Sequence, residues 1–189
     1  MKKICVVTST KEEYAFLHKI IENLNKDAEI DLKLIVSGKH LSPDFGLTYK
    51  EIEKDFKIDK KVEMYPKLMT NVSISNSLSL AIIGFSSAFD DLKPDMIVVC
   101  SNSYSIYGAC IASEIAHIPI LNIFSNDLID KDIPKSILQS IIKMGEINLV
   151  ENIKEKNILE SYDNRLIGIE IFEKLNKINS IFINKIREN

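Results

Sequence analysis

The sequence predicts an α/β fold: one domain of about six parallel strands flanked by helices. Three observations lead there. Short apolar runs alternate with longer amphipathic stretches, and those runs are apolar throughout rather than at every second residue. The third is size, since 189 residues at 46% apolar composition suit one core and do not fit a second full domain. Strands buried on both faces belong to a parallel sheet covered by helices through right-handed crossovers.

Ile4 to Val7 reads as the first strand, and Thr8, Ser9 and Thr10 lead into a helical stretch near Glu12 to Asn25. Ile30 to Val36 is the second strand. A polar loop rich in turn residues, Pro43, Asp44 and Gly46, separates it from a helix near Tyr49 to Asp55, and Phe56 to Val62 follows as the third strand. Helices near Asn76 to Leu92 and Tyr104 to His117 flank a fourth strand, Met96 to Cys100. Ile118 to Ile123 and Ile147 to Val150 are the fifth and sixth strands, around a helix from Pro134, well placed in a first turn, to Lys143. The series describes a Rossmann-like domain over residues 1–150. Residues 151–189 read as a charged connection, Glu151 to Asp163, and a final helix. Its stripe of Leu166, Ile169, Phe172, Leu175, Ile178, Phe182 and Ile186, widened by Ile171, Ile181 and Ile183, packs either on the domain or on a partner chain.

A net charge of -3 and a pI near 5.7 exclude the basic face that nucleic acid or an anionic membrane demands. Arg165 and Arg187 are the only arginines, so no guanidinium fork is available in the main body to clamp a phosphate. Cys5, Cys100 and Cys110 lie in apolar stretches, which suits reduced thiols in a cytoplasmic protein; a nucleophilic Cys110 competes with the inert reading. MKKICVVTST lacks the apolar length of a signal peptide, and no segment reads as a membrane span. No GxGxxG, Walker loop or GxSxG elbow is present, and no cofactor is expected.

In such a sheet ligands sit beyond the carboxyl ends of the strands. After the first strand, Thr10 and Lys11 offer a hydroxyl and a cation to an anion, or simply open a helix. After the second, the loop Ser37 to Thr48 holds His40, the best candidate for reading a ligand, although its turn residues equally suit a structural loop. After the fourth, Asn102, Ser103 and Ser105 form a neutral hydrogen-bonding rim or a set of helix caps, and Asn126 extends the rim after the fifth. Asp127, Asp130 and Asp132 have no EF-hand spacing and read as solvated acids rather than metal ligands. His18 and His117 read as packing or surface residues.

TSTKEEY, then SGKHLSPDFGLTYKEIEKDFKIDKKVEM, then LKPDMIVV resemble the N-terminal domain of hydrolysing UDP-N-acetylglucosamine 2-epimerases, most closely the sialic-acid pathway type. The resemblance covers residues 1–150 and implies one half of a GT-B architecture, whose second domain this sequence lacks. The family reaction removes the proton at sugar C2, expels UDP and hydrates the resulting glycal, which calls for positioned acids and bases. The family's Gly-Asp-Arg-x-Glu after the fourth strand falls here on Ser101 to Ser105, which holds neither acid nor arginine. Its His-x-His-Gly-Gly and following acid fall on Asn122, Phe124, Ser125, Asn126 and Asp127, where only Asp127 keeps its type. Its next helix aligns from Pro134 to Gln139, again without acid, arginine or histidine. The early arginine becomes Lys11, and the loop histidine is kept as His40. With so much replaced, His40 and Asp127 are the only catalytic candidates.

The resemblance therefore implies a truncated, catalytically impaired relative that binds a UDP-sugar or a partner protein. Two alternatives stand beside it: an active half completed by another chain, and a structural adaptor acting through the final helix. A homodimer or a full-length epimerase is the expected protein partner.

Overall fold

The computed structural model describes residues 1–64, 70–100, 103–128, 132–162 and 169–171. Among them, β1 (Lys2–Thr8), β2 (Ile30–Ser37), β3 (Lys60–Val62), β4 (Met96–Cys100), β5 (Ile120–Phe124), β6 (Ile147–Val150) and β7 (Ile169–Ile171) form one sheet, in the order β3-β2-β1-β4-β5-β6-β7. Every pairing is parallel. Helices α1 (Lys11–Lys26), α2 (Tyr49–Asp55), α3 (Asn71–Leu92), α4 (Tyr104–Ile115), α5 (Lys135–Met144) and α6 (Ile153–Tyr162) connect the strands.

Successive strand residues feed opposite cores, because side chains alternate across a sheet. Ile4, Val6, Leu34 and Val98 face α1 through Leu17, Ile20 and Ile21. Cys5, Val7, Ile35 and Val99 face the side covered by α3 and α4, with Phe85, Ala109 and Cys110. All these residues are wholly buried, which is why the strand runs carry no polar alternation. Gly108 of α4 sets the approach of α3: a side chain there would begin 2.7 Å from Ala81 Cβ.

The parallel, helix-flanked sheet is the one the sequence predicts, with three local differences. Pairing of β3 starts at Lys60 rather than Phe56: the Phe56 amide donates to Ile52 O (2.9 Å) and closes α2, while its ring packs edge-on against His18. The charged stretch from Glu151 holds α6, because Asn152 Oδ1 accepts from Glu155 N (3.0 Å), Glu155 Oε2 accepts from Glu151 N (2.9 Å), and Leu159 is buried. Third, Ile169 and Ile171, placed in a helical stripe by their spacing, belong to β7, which pairs with Asn148–Val150. The open edge of β6 outweighs the helical spacing there. Leu166 and the stripe from Phe172 onward lie outside the described residues.

One described helix, α3, is long and apolar enough by length and composition to cross a membrane, contrary to the expectation that no segment would be. Its Ala81, Phe85, Ala88 and Phe89 are buried in the core.

Among the described residues, a buried pair of amides bridges two strands of the sheet. Asn122 Nδ2 donates to Asn148 Oδ1 (3.0 Å) across β5 and β6, and Asn148 Nδ2 lies 3.2 Å from the carbonyls of Ile142 and Gly145 at the end of α5.

Candidate functional site

Strand order reverses between β1 and β4, the point beyond whose carboxyl ends the ligand crevice of an open α/β sheet lies. Two helix N-termini border it. Thr10 caps α1, its Oγ1 accepting from Glu13 N (3.2 Å), and Ser103 caps α4, its Oγ accepting from Ile106 N (3.2 Å). Glu13 completes a reciprocal cap displaced by one residue: its carboxylate, only 2% exposed, accepts from Ser9 N (2.6 Å) and Ser9 Oγ (2.8 Å). Ser9 Oγ in turn lies 3.1 Å from Ser103 Oγ, joining the two strand exits. The single Ser9 hydroxyl proton is committed to the carboxylate, so Ser103 is the donor in that contact.

Gly38 brings the loop after β2 against this junction. Its φ of +56° is one that other residues rarely adopt, and a side chain there would begin 3.1 Å from Ser9 Cβ and from the Ser9 carbonyl. The His40 amide then donates to Ser9 O (3.3 Å). The His40 ring is completely buried, with Nε2 3.1 Å from Thr8 Oγ1 and Nδ1 2.7 Å from Thr48 Oγ1. Burial pushes its pKa down from 6.5 to about 4, so the ring is neutral at physiological pH. Both nitrogens are engaged inside the protein. In this arrangement His40 fastens the loop to β1 and to the start of α2, instead of facing a ligand.

The other sequence-predicted residues separate into groups. Thr10 and Ser103 stand at the crevice as caps, both half-buried. Lys11 is exposed and pairs with Glu51 of α2 (3.1 Å). Ser105, in the first turn of α4, is buried, and its hydroxyl has no hydrogen-bond partner. Replacing Ser105 by Ala is expected to change stability by less than about 1 kcal/mol, since no bond is lost. A thermal melt checks this, and a larger loss would mean that the hydroxyl is satisfied in solution. Asn126 and Asp127 lie exposed in a 3-10 turn after β5, where the Asn126 amide donates to Glu155 Oε1 (3.3 Å). Asn102 and Asp130 lie outside the described residues.

Among the described residues, no group of three or more His, Cys, Asp or Glu side chains is placed to hold a metal ion. Burial pushes the Cys110 thiol up to about 12, which leaves it protonated and inert. Two residues central to the crevice do not stand out in the sequence reading. Glu13 was signalled by the Thr10-x-x-Glu13 spacing, and Gly38 by its place directly after a strand.

Comparison with known proteins follows the same geometry. The model of a family described as UDP-N-acetylglucosamine 2-epimerase matches residues 22–125. The chain is 40% identical over 163 residues to the GDP/UDP-N,N'-diacetylbacillosamine 2-epimerase (hydrolyzing) of Campylobacter jejuni, covering 84% of this chain and 42% of that protein. It is 29% identical to the polysialic acid biosynthesis protein P7 of Escherichia coli, over 89% of this chain and 42% of that one. It thus spans about two fifths of the length of these curated relatives. In fold it is similar to the UDP-GlcNAc 2-epimerase of Neisseria meningitidis, solved with UDP-GlcNAc bound (TM-score 0.72, 17% identity, 97% of this chain and 52% of that one). A further UDP-N-acetylglucosamine 2-epimerase structure gives a TM-score of 0.73 at 17% identity, over 90% of this chain and 47% of that one. These solved proteins have the GT-B epimerase fold, and the sheet described above is its Rossmann-like half.

Proposed function

From the premise that the chain belongs to the UDP-N-acetylglucosamine 2-epimerase family, we propose that it forms one wall of a nucleotide-sugar site and, on its own, binds the ligand without turning it over. The observation that supports this reading is the β1/β4 switch point, which among the described residues is bordered by the capping hydroxyls of Thr10 and Ser103, with the buried hydroxyl of Ser105 behind them. Asn126, exposed after β5, adds an amide to this neutral set, while Lys11 and His40 act on its border, the latter by holding the loop in place; Asn102, also expected to bind, lies outside the described residues. Hydroxyls and amides match the hydroxyl and acetamido groups of an amino sugar. They do not cycle protons near neutral pH, and each missing acid or base costs roughly 10²- to 10⁴-fold in rate. The one carboxylate buried at the crevice, Glu13, is committed to Ser9.

A thermal-shift titration tests the proposal. UDP-N-acetylglucosamine or a UDP-linked diacetylated relative, at about ten times its dissociation constant, is expected to add about 1.4 kcal/mol to folding stability, with no UDP released. No shift with any UDP-sugar would remove the binding reading, and UDP release by the purified chain would remove the non-catalytic one.

A second reading, an enzyme half completed by another chain, is favoured by the continuous line Ser103 to Ser9 to Glu13, which places a carboxylate behind a crevice hydroxyl. It calls for UDP release above that of the partner alone once a partner chain is mixed with this one, and for loss of that excess in Glu13→Gln.

A further inference from the structure

At the amino end of the sheet, opposite the switch point, a hollow of about 240 Å³ opens between the ends of α4 and α5. Its floor is apolar, made by Ile118, Pro119, Ile120 and Met144, and Glu114, His117 and Glu146 stand on its rim. The floor is held in shape from behind. Ser113 O accepts from Ile118 N (2.9 Å), Ser113 Oγ donates to Ile118 O (2.8 Å), and Ile120 O accepts from Glu146 N (3.0 Å).

The polar groups at this place favour positive charge. Two helix C-termini meet at the hollow, and their carbonyl ends attract cations and repel anions. Each nevertheless carries a carboxylate, Glu114 in the last turn of α4 and Glu146 two residues past α5, and among the described residues neither carboxylate has an ion-pair partner. A further acceptor lies behind the floor. Asn122 shares the face of Ile120 on β5, is 1% exposed, and its Oδ1 has no hydrogen-bond partner. Its orientation is fixed: Asn148 Nδ2 serves the carbonyls of Ile142 and Gly145, so Asn148 Oδ1 accepts and Asn122 Nδ2 donates between the strands. The two ends of a planar amide diverge, so Asn122 Oδ1 turns away from β6, towards the groove between α4 and α5 that opens at the hollow.

We propose that this hollow is a second ligand site, for an organic dication of the alkyl diamine class. The methylene chain lies on Ile118, Pro119 and Met144, the two ammonium groups meet Glu114 and Glu146, and the groove leads inward to Asn122 Oδ1. A bare metal ion suits the place less well, since among the described residues no three acidic, histidine or cysteine side chains converge and the apolar floor offers a metal nothing. The proposal is independent of the nucleotide-sugar reading, which concerns the other end of the sheet.

Amide resonances of the full chain, titrated at low ionic strength, test it. Cadaverine is expected to shift His117, Ile118, Gly145 and Glu146 saturably, while pentanol and magnesium chloride leave them in place. The double variant Glu114→Gln, Glu146→Gln, altered only at exposed positions, should bind cadaverine at least about fivefold more weakly, the loss of two partly exposed ion pairs. Equal affinity in the double variant would overturn the proposal, as would cadaverine shifts spread evenly over the exposed carboxylates of the whole surface. Matching shifts with magnesium chloride would reject the organic ligand.

Discussion

Between pH 6.5 and pH 4 the protein is expected to lose about 3 kcal/mol of folding stability through His40 alone. The ring is neutral and fully buried when folded, with a pKa held at about 4, whereas in the unfolded chain it titrates near 6.5. Above 6.5 neither state binds the proton and stability is at its full value. As the pH falls through that window the unfolded state gains a proton first, so stability drops, and below about 4 both states are charged and the loss stops growing. Denaturant melts across the range, for wild type and for His40→Gln, isolate the contribution. The variant, starting lower because Thr8 and Thr48 lose their fitted partner, should show a flatter profile. Parallel profiles would mean that His40 is not the titrating group.

The second large effect concerns α3 and α4. At an open helical position, Gly→Ala stabilises by up to about 1 kcal/mol, because glycine loses more backbone freedom on folding. At Gly108 the sign should reverse. The new Cβ would lie 2.7 Å from Ala81 Cβ, a separation that ordinary packing does not allow, so the two helices must part. Overpacking of this kind costs about 1 to 3 kcal/mol, and the upper part of that range is expected where both elements are rigid helices buried on a sheet. Adding Ala81→Gly to Gly108→Ala removes the opposing methyl and should recover most of the loss. A double variant as unstable as the single one would place the close approach elsewhere.

Much of this architecture is legible in the residues themselves. β4 and β6 begin and end where their apolar runs do, since strands buried on both faces admit no polar residue except at a special place such as Asn148. The caps Thr10 and Ser103 are equally visible, because hydroxyl residues at a strand-to-helix junction have a local job that needs no distant partner. What escapes is whatever depends on a remote neighbour. Ile169 and Ile171 suit a helical stripe and a strand alike, and only the unpaired edge of β6 decides between them. His40 lies among turn residues that suggest exposure, yet its ring is buried between Thr8 and Thr48. Glu13 follows Glu12 in a charged stretch and looks like a solvated face until Ser9 folds back upon it. The charge of the Glu151 to Asp163 segment suggests a connection, although Asn152 and Glu155 have the spacing of a helix start.

Asn122 and Asn148 stand opposite each other in neighbouring strands that are otherwise oily. Sliding β6 past β5 by one residue would carry Asn148 to the other face of the sheet and strand two amides without mates in a dry interior, at a cost of about 1 to 3 kcal/mol for each orphan. The Ile142 and Gly145 carbonyls would lose their donor in the same move. This side-by-side rung acts as an alignment pin: hydrophobic contacts alone would tolerate several offsets between two short greasy ribbons, and the amides leave one.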